Sequence, residues 1–161
     1  MGTIRACGPA DLERMCGIIN EAAQAYKAIL SADDWHEPYM DAGQLRREID
    51  AGVAFSGWED DGELQAIMGL QHVAGATLIR HAYVAAPYQR KGIGGILLKA
   101  LRRHVQGPLL VGTWADARWA IDFYERHGFT LVDRQRGDRL LRTYWTIPDR
   151  QREISVVLSA G

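Results

Sequence analysis

The sequence predicts an α+β (mixed α/β) fold: a mixed, mostly antiparallel central sheet flanked by helices, in the rough order βααβββαβαββ. Three observations favour this fold. Apolar residues recur at helical spacing in the first third of the chain. Three strand-like runs then follow one another with short turns, which is typical of an antiparallel meander. Beyond them, amphipathic patterns alternate with short continuous apolar runs, as expected for helices beside buried strands.

The N-terminal third is predicted to contain one short strand and two helices. Residues 3–6 form the strand, and Gly8-Pro9 ends it, with Pro9 suited to a first helical turn. Apolar positions across residues 12–29 repeat at intervals of three and four, which predicts the first helix. The second helix is expected over residues 41–52, with Gly52 as its C-terminal stop.

The middle of the chain changes to strand patterns. Residues 53–58 and 63–73 read as two strands joined by a turn at 59–62, and residues 76–84 read as a third. A helix follows Gly92. Its predicted buried stripe is Ile93, Ile96, Leu97, Ala100, Leu101 and either His104 or Val105.

The C-terminal part is predicted to alternate between strands and one helix. Residues 109–113 form a short apolar run typical of a central strand, and residues 117–127 form a helix that Gly128 closes. The final predicted strands cover residues 129–133, 140–147 and 153–158. The arginine-rich stretch at 134–142 would then lie on a hairpin turn, as solvated surface rather than a nucleic-acid site.

Charge and composition exclude several classes of protein. The 161 residues carry 19 basic and 20 acidic side chains, a net charge of −1, which argues against a broadly basic nucleic-acid binder. Two cysteines, Cys7 and Cys16, form neither a disulfide framework nor a metal-binding pattern. No apolar run approaches 18 residues. We therefore expect one cytoplasmic domain over residues 1–161, without metal, membrane or nucleic-acid partners.

A glycine-rich segment after the third meander strand is the first candidate site. Gly92, Gly94 and Gly95 stand where a helix begins, so its first-turn N–H groups are open to a ligand. Such groups bind phosphate or pyrophosphate, and Arg90 and Lys91 add positive charge. The segment lacks the GxxxxGK[ST] pattern of phosphate-binding loops. An ordinary glycine-rich turn from strand to helix remains the alternative.

A second candidate site lies on the helix predicted at 117–127. Ala120, Phe123 and Tyr124 share one face of this helix, and Gly128 and Phe129 follow as cap and strand start. Read alone, a tyrosine at position 124 is more often a core aromatic whose hydroxyl lies at the rim.

Together the two segments resemble the GCN5-related N-acetyltransferase (GNAT) superfamily. Residues 89–94 match its Q/R-x-x-G-x-G/A loop, and residues 120–129 match its A-x-x-x-Y-x-x-x-G-F segment. A second loop match, at residues 5–10, has one glycine and a proline that removes an amide donor, so we set it aside. Two departures stand out: Ala117 replaces a frequent asparagine, and Pro87 lies one residue later than usual.

The resemblance implies acetyl transfer from acetyl-CoA to a primary amine of a small molecule or peptide, by direct attack in a ternary complex. It implies that the N–H groups near Tyr83 and Val84 polarise the thioester carbonyl and that Tyr124 is the general acid for the leaving thiolate. It is also compatible with a homodimer. The implied cofactor-binding residues are Tyr83, Val84, Gln89, Arg90, Lys91, Gly92, Ile93, Gly94 and Gly95.

The acceptor amine needs a base, because an ammonium group has no lone pair with which to attack. Candidates are Glu37 or His36, in an acidic and aromatic segment at 33–37, and His81 on the strand that leads to the glycine loop. His81 alternates with Tyr83, which would place both on one side of that strand. The alternatives are a sheet histidine without a catalytic role and a solvated loop between helices.

Three other functions remain open from the sequence. One is a non-catalytic sensor that binds acyl-CoA in the same way, and another is a transferase that uses a different short acyl-CoA. The third, a plain phosphate-ligand binder, does not account for the Tyr124 segment.

Overall fold

The structure is a computed structural model that describes residues 1–105 and 107–160. One seven-stranded sheet has the order β1-β2-β3-β4-β5-β7-β6. Strands β1 to β7 are Thr3–Ala6, Ala54–Asp60, Glu63–Val73, Ala76–Val84, Leu109–Trp114, Thr130–Leu131 and Ser155–Ala160. Helices α1 to α6 are Leu12–Ala23, Ala42–Asp50, Ile93–Arg102, Arg118–Arg126, Arg134–Tyr144 and Asp149–Glu153. The predicted class, a mixed and mostly antiparallel sheet flanked by helices, is confirmed.

The described residues divide into two compact units. The first holds residues 1–71 and 80–105, and the second holds residues 72–79 and 107–160.

In the first unit, β2 is antiparallel to both β1 and β3, and β2 and β3 are the first two strands of the predicted meander. Ile4 pairs with Trp58, and Ser56 pairs with Met68. The β2–β3 turn places Asp61 and Gly62 at φ values of 56° and 72°. An Asp-Gly pair tolerates these left-handed conformations, and two such residues match the right-handed twist of a hairpin.

Helices α1 and α2 pack one apolar face of each into the core of the first unit. Ile18 and Ile19 of α1 and Leu45 of α2 are fully buried beside Phe55 and Ile67 of the sheet. Helix α2 begins where predicted, because the Asp41 carboxylate accepts a 2.7 Å hydrogen bond from the N–H of Gln44.

The first helix is shorter than predicted. Regular α-helix ends at Ala23, and a 3₁₀ segment, Gln24–Ala28, replaces the expected continuation to residue 29. The N–H groups of Ile29 and Leu30 both bond to the Tyr26 carbonyl, which tightens the chain around this buried side chain.

Helix α3 begins after Gly92 as predicted, but the face that it buries is rotated about the helix axis relative to the predicted face. Ile93, Leu97, Leu98 and Leu101 are buried, whereas Ile96 is 47% exposed. At 100° per residue the four buried positions share a sector that excludes residue 96. The prediction that Ile96 faces the core was therefore wrong.

In the second unit, the first half of β4 runs parallel to β5, with Thr77 opposite Leu109. Strand β5 is antiparallel to β7, which is in turn antiparallel to β6. Helix α4 precedes Gly128, whose φ of 90° ends it as predicted.

The strand predicted at 140–147 was wrong, because α5 occupies most of this stretch. The Asp133 carboxylate accepts a 2.9 Å hydrogen bond from the N–H of Arg136 and caps the helix, and Gly137 and Leu141 face the core. The observed order after β5 is αβααβ, with a short β6 and α6 before β7. The arginine-rich stretch therefore lies on a helix and not on a hairpin turn.

Candidate functional site

The end of β4 is fixed by hydrogen bonds to neighbouring elements. The N–H of buried Ala85 donates to the Gln65 carbonyl at 2.9 Å, and the N–H of Ala86 donates to Glu21 Oε1 at 2.8 Å. A 3₁₀ turn, Ala86–Tyr88, follows directly. The backbone therefore leaves the sheet along a defined path before it reaches the glycine-rich segment.

That segment turns into α3 through two left-handed residues. Arg90 has a φ of 65° and Gly92 a φ of 80°, while Gln89 Nε2 closes the loop by donating to the Val84 carbonyl at 2.9 Å. Gly92 precedes the helix without a side-chain cap, and the first turn carries no acidic residue.

The first-turn N–H groups of Ile93, Gly94 and Gly95 have no intrahelical acceptor by the geometry of a helix. A Cβ at Gly92 would meet nothing within 4 Å, so the space beside the backbone is open. Arg90 and Lys91 are exposed at the rim. The arrangement can hold a phosphate or pyrophosphate group through backbone amides.

Tyr88 fastens the outer side of this loop. Its hydroxyl donates to Glu63 Oε2 at 2.8 Å, and this hydrogen bond to a carboxylate raises the pKa of Tyr88. Lys91 Nζ lies 5.7 Å from the Tyr88 ring centroid, within the range of a cation–π contact.

Tyr83, near the end of β4, belongs to an aromatic cluster. Its ring meets Tyr26 edge-on at 6.3 Å, and the two hydroxyls lie 3.3 Å apart. Burial raises the pKa of Tyr26. Tyr39 packs 5.5 Å from Tyr26, and Trp35 stacks 5.9 Å from Tyr39. The aromatic part of segment 33–37 therefore packs toward the strand that carries Tyr83.

The acidic part of segment 33–37 faces solvent. Glu37 Oε1 accepts a 3.3 Å hydrogen bond from Trp35 Nε1 and lies 3.7 Å from Lys27 Nζ, with 53% of its side chain exposed. His36 is exposed, and its Nδ1 lies 3.1 Å from the Pro38 carbonyl oxygen. Neither predicted base candidate in this segment is desolvated.

His81 is placed differently, in a half-buried ion-pair network. Its Nε2 lies 2.6 Å from Glu48 Oε1, and its ring stacks on Phe55 with a centroid distance of 6.2 Å. Its φ is 55°, which interrupts the regular alternation of side chains that the prediction for His81 and Tyr83 assumed.

Glu48 is a residue that the sequence analysis missed. Burial acts to raise its pKa, but the hydrogen bond and charge of His81, with the charge of Arg80, hold the pKa below its ordinary value. Position 48 lies three residues after buried Leu45, on the inner face of α2. A carboxylate on the otherwise apolar inner face of α2 is the sequence signal that could have identified Glu48.

Tyr124 lies on α4 in the second unit and is 6% exposed. Its ring contacts Phe123 at 5.1 Å and Phe129 at 5.4 Å, both edge-on. The N–H of Phe129 donates to the Tyr124 carbonyl at 3.0 Å, which fixes the helix end against the next strand. Ala117, where the family often has asparagine, is buried immediately before α4 and provides no side-chain cap.

Within residues 1–105 and 107–160, no group of three or more His, Cys, Asp or Glu side chains is arranged to hold a metal ion. Over the same described part of the chain, every helix is too short or too polar to cross a membrane.

Comparison with known proteins gives a clear family match. The sequence model described as the acetyltransferase (GNAT) family matches residues 16–129. No curated protein sequence matches significantly.

Solved structures resemble the whole fold at low identity. The PaiA N-acetyltransferase from Thermoplasma acidophilum, solved in complex with coenzyme A, is 18% identical, with a TM-score of 0.73 over 99% of this chain and 98% of that one. The ribosomal-protein-S18-alanine N-acetyltransferase from Escherichia coli is 20% identical, with a TM-score of 0.71 over 99% and 93%. The yncA protein from Salmonella typhimurium, solved with its cofactor acetyl-CoA, is 21% identical, with a TM-score of 0.62 over 82% and 81%.

Proposed function

Because the chain belongs to the acetyltransferase (GNAT) family, we propose that it moves an acetyl group from acetyl-CoA to a primary amine of a small molecule or peptide. The transfer takes place by direct attack in a ternary complex. The observation that carries the proposal is the uncapped first turn of α3, in the segment that matches the family's loop. The proposal also keeps two expectations from the sequence, a cytoplasmic location and a homodimer.

The residues of the glycine-rich segment fit a diphosphate. Backbone N–H groups from Arg90 to Gly95 would bind its oxygens, because the N–H of Gln89 already donates to the Ala86 carbonyl at 3.4 Å. Arg90 and Lys91 would offset the charge of the diphosphate. The open space at Gly92 and the absence of acidic residues in the first turn support this assignment. Backbone N–H groups near Tyr83 and Val84 would donate to the thioester carbonyl.

Acetyl-CoA, when bound, supplies an acyl group on a good leaving thiolate. The chain's own residues then have two proton tasks: one removes a proton from the acceptor ammonium, and another donates a proton to the departing sulfur. We assign the second task to Tyr124. For the first, His81 is a stronger candidate than Glu37, because His81 is held between a carboxylate and an aromatic ring, whereas Glu37 is exposed and paired with Lys27.

The test is an acetyl-CoA-dependent thiol-release assay over a panel of small amines, polyamines, amino acids and peptide N-termini. We expect release of one thiol per acetylated amine for at least one acceptor class. Calorimetry on the same protein separates the alternatives. Binding of acetyl-CoA without turnover on any amine would favour a sensor, and no binding at millimolar concentration would contradict the proposal. Faster turnover with succinyl-CoA would identify a transferase for another short acyl group.

A further inference from the structure

One carboxylate in the first unit, that of Glu48, collects three donors from two elements. Glu48 Oε1 is the partner of both His81 Nε2, at 2.6 Å, and Arg80 Nη2, at 3.0 Å. Its other oxygen accepts from Gln44 Nε2 at 3.3 Å. The Glu48 side chain is 17% exposed, and that of His81 is 15% exposed. This is a semi-buried cluster that links α2 to β4.

An irregular backbone conformation in β4 allows two consecutive side chains to reach Glu48. In a regular strand, consecutive residues point to opposite faces. Arg80 and His81 are consecutive, yet both reach the same oxygen atom, because His81 adopts a φ of 55°. A non-glycine residue in the left-handed region is uncommon and is retained where surrounding contacts over-determine it, often at functional sites.

The partners of His81 also decide which ring nitrogen carries a proton. Glu48 has a pKa below its ordinary value, so its carboxylate is ionised at neutral pH and can only accept. The Nε2 atom facing it must therefore donate. In the neutral imidazole the lone pair then resides on Nδ1, for which the described residues offer no hydrogen-bond partner. Stacking on Phe55 restricts rotation of the ring.

We propose that Glu48 is a positioning residue that holds His81 as the base for the acceptor amine. The proposal rests on the proposed function. His81 lies two residues before Tyr83 on β4, so it is about 7 Å along the strand from the N–H groups assigned to the thioester carbonyl. That separation suits a base that acts directly or through one water molecule.

Every proton of the acceptor amine is accounted for in the proposed transfer. The acceptor ammonium gives one proton to His81 Nδ1, and the Glu48 carboxylate offsets the charge of the imidazolium. The neutral amine forms its bond to the carbonyl carbon as the carbon–sulfur bond breaks. The departing sulfur gains a proton while the new amide nitrogen loses its second one, and the imidazolium releases its proton to solvent.

The first test is a double-mutant cycle of Glu48→Gln and His81→Ala, measured on the best acceptor. We expect H81A to lower kcat about 100-fold and E48Q about tenfold, with KM for acetyl-CoA changed less than about twofold. The double variant should be no slower than H81A alone, because Glu48 acts through His81. A further tenfold loss in the double variant would show that Glu48 acts independently and would overturn the proposal.

The matched control is Glu59→Gln. Glu59 Oε1 lies 3.1 Å from Arg5 in the same unit, so this variant also removes a carboxylate from an arginine, away from the proposed site. We expect wild-type kcat. An equal loss of kcat in E59Q and E48Q would mean that the loss in E48Q comes from removing any ion pair of this unit. It would then not reflect the proposed role of Glu48.

The second test needs neither substrate nor turnover. Nitrogen-15 NMR of the His81 ring in the folded protein should show a protonated Nε2 and an unprotonated Nδ1 in the wild type, and a mixture of tautomers in E48Q. The opposite tautomer in the wild type would overturn the proposal. If the wild type acetylates an amine and H81A is equally fast, this inference fails while the proposed function stands. If the wild type acetylates none, the proposed function fails and removes this inference with it.

Discussion

Gly92 turns the backbone from the 3₁₀ turn into α3 at a φ of 80°, a conformation that a Cβ opposes. Because the space around it is open, any cost of a side chain there is conformational and not steric. His81 and Arg90 adopt the same region with side chains present. A substitution at Gly92 therefore tests whether the proposed diphosphate site requires this left-handed backbone conformation.

We predict that Gly92→Ala lowers the free energy of unfolding by about 1 kcal/mol and weakens acetyl-CoA binding. Gly8→Ala is the matched control, because Gly8 also has open space around it but an ordinary extended backbone, with a φ of −121°. Urea denaturation and calorimetry of both variants provide the measurement. Equal effects of the two substitutions would contradict the assigned role of the left-handed backbone.

Tyr124 carries the second prediction about a single side chain. Tyr124→Phe keeps the ring contacts to Phe123 and Phe129 and removes only the hydroxyl. We expect kcat to fall by about 10²-fold or more, with little change in affinity for acetyl-CoA. Tyr144→Phe, on α5 in the same unit, is the control. An unchanged kcat in Y124F would remove Tyr124 from the role of general acid.

Among the elements, α5 shows how a local cap can outweigh an apolar run. Residues 140–147 contain enough large apolar and β-branched side chains to resemble a strand. The Asp133 cap and the Asp138–Arg142 ion pair, at 2.8 Å and four residues apart, instead favour a helix. The helix then places Leu141 in the core with Leu78, Leu110 and Val157.

We predict that Asp133→Ala destabilises the protein by about 1 kcal/mol, the usual value of an N-terminal cap. The control is Asp122→Ala, an exposed position inside α4, where a change within about 0.5 kcal/mol is expected. Chemical denaturation of both variants gives the comparison. If the two variants were equally stable, Asp133 would have no measurable role in starting α5.

For the chain as a whole, ion pairs between separate elements make stability depend on pH. Arg5 on β1 bonds to Asp11 at 2.9 Å and to Glu59 on β2 at 3.1 Å. The hydrogen bond from Arg5, with one from the N–H of Gly8, lowers the pKa of Asp11. A carboxylate with a lowered pKa in the folded state stabilises that state above its unfolded pKa and loses this contribution as the pH falls.

We therefore expect Asp11→Asn to be clearly less stable than the wild type at pH 7. The difference should start to shrink once the pH falls below about 4, the ordinary aspartate pKa, because Asp11 then takes up a proton in the unfolded wild type. It should keep shrinking until the pH also falls below the lowered pKa of Asp11 in the folded state. Denaturation midpoints of both proteins between pH 3 and pH 7 test this. A difference that stayed constant over that range would contradict the assigned ion pair.

The sequence-based predictions were accurate where neighbouring residues determine the structure, and inaccurate where packing between distant elements determines it. The Asp-Gly hairpin, the start of α2 near Asp41 and the glycine start of α3 were predicted because each depends on neighbouring residues and their backbone preferences. The buried sector of α3 and the end of α1 at Ala23 were not, since both depend on what the helices pack against.

The amino-acid sequence alone was sufficient for the mixed sheet with flanking helices and for the glycine-rich turn into α3, because periodicity and backbone conformation are encoded locally. It was also sufficient for the family, through the resemblance of the segments at 89–94 and 120–129. The pairing of Glu48 with His81 was decided by the tertiary structure, since 33 residues separate them and only packing of α2 against the sheet brings the carboxylate and the imidazole to 2.6 Å. For α5 the two levels act together: a short apolar run is compatible with either conformation, the local Asp133 cap favours the helix, and the core with Leu78, Leu110 and Val157 fixes which face is buried.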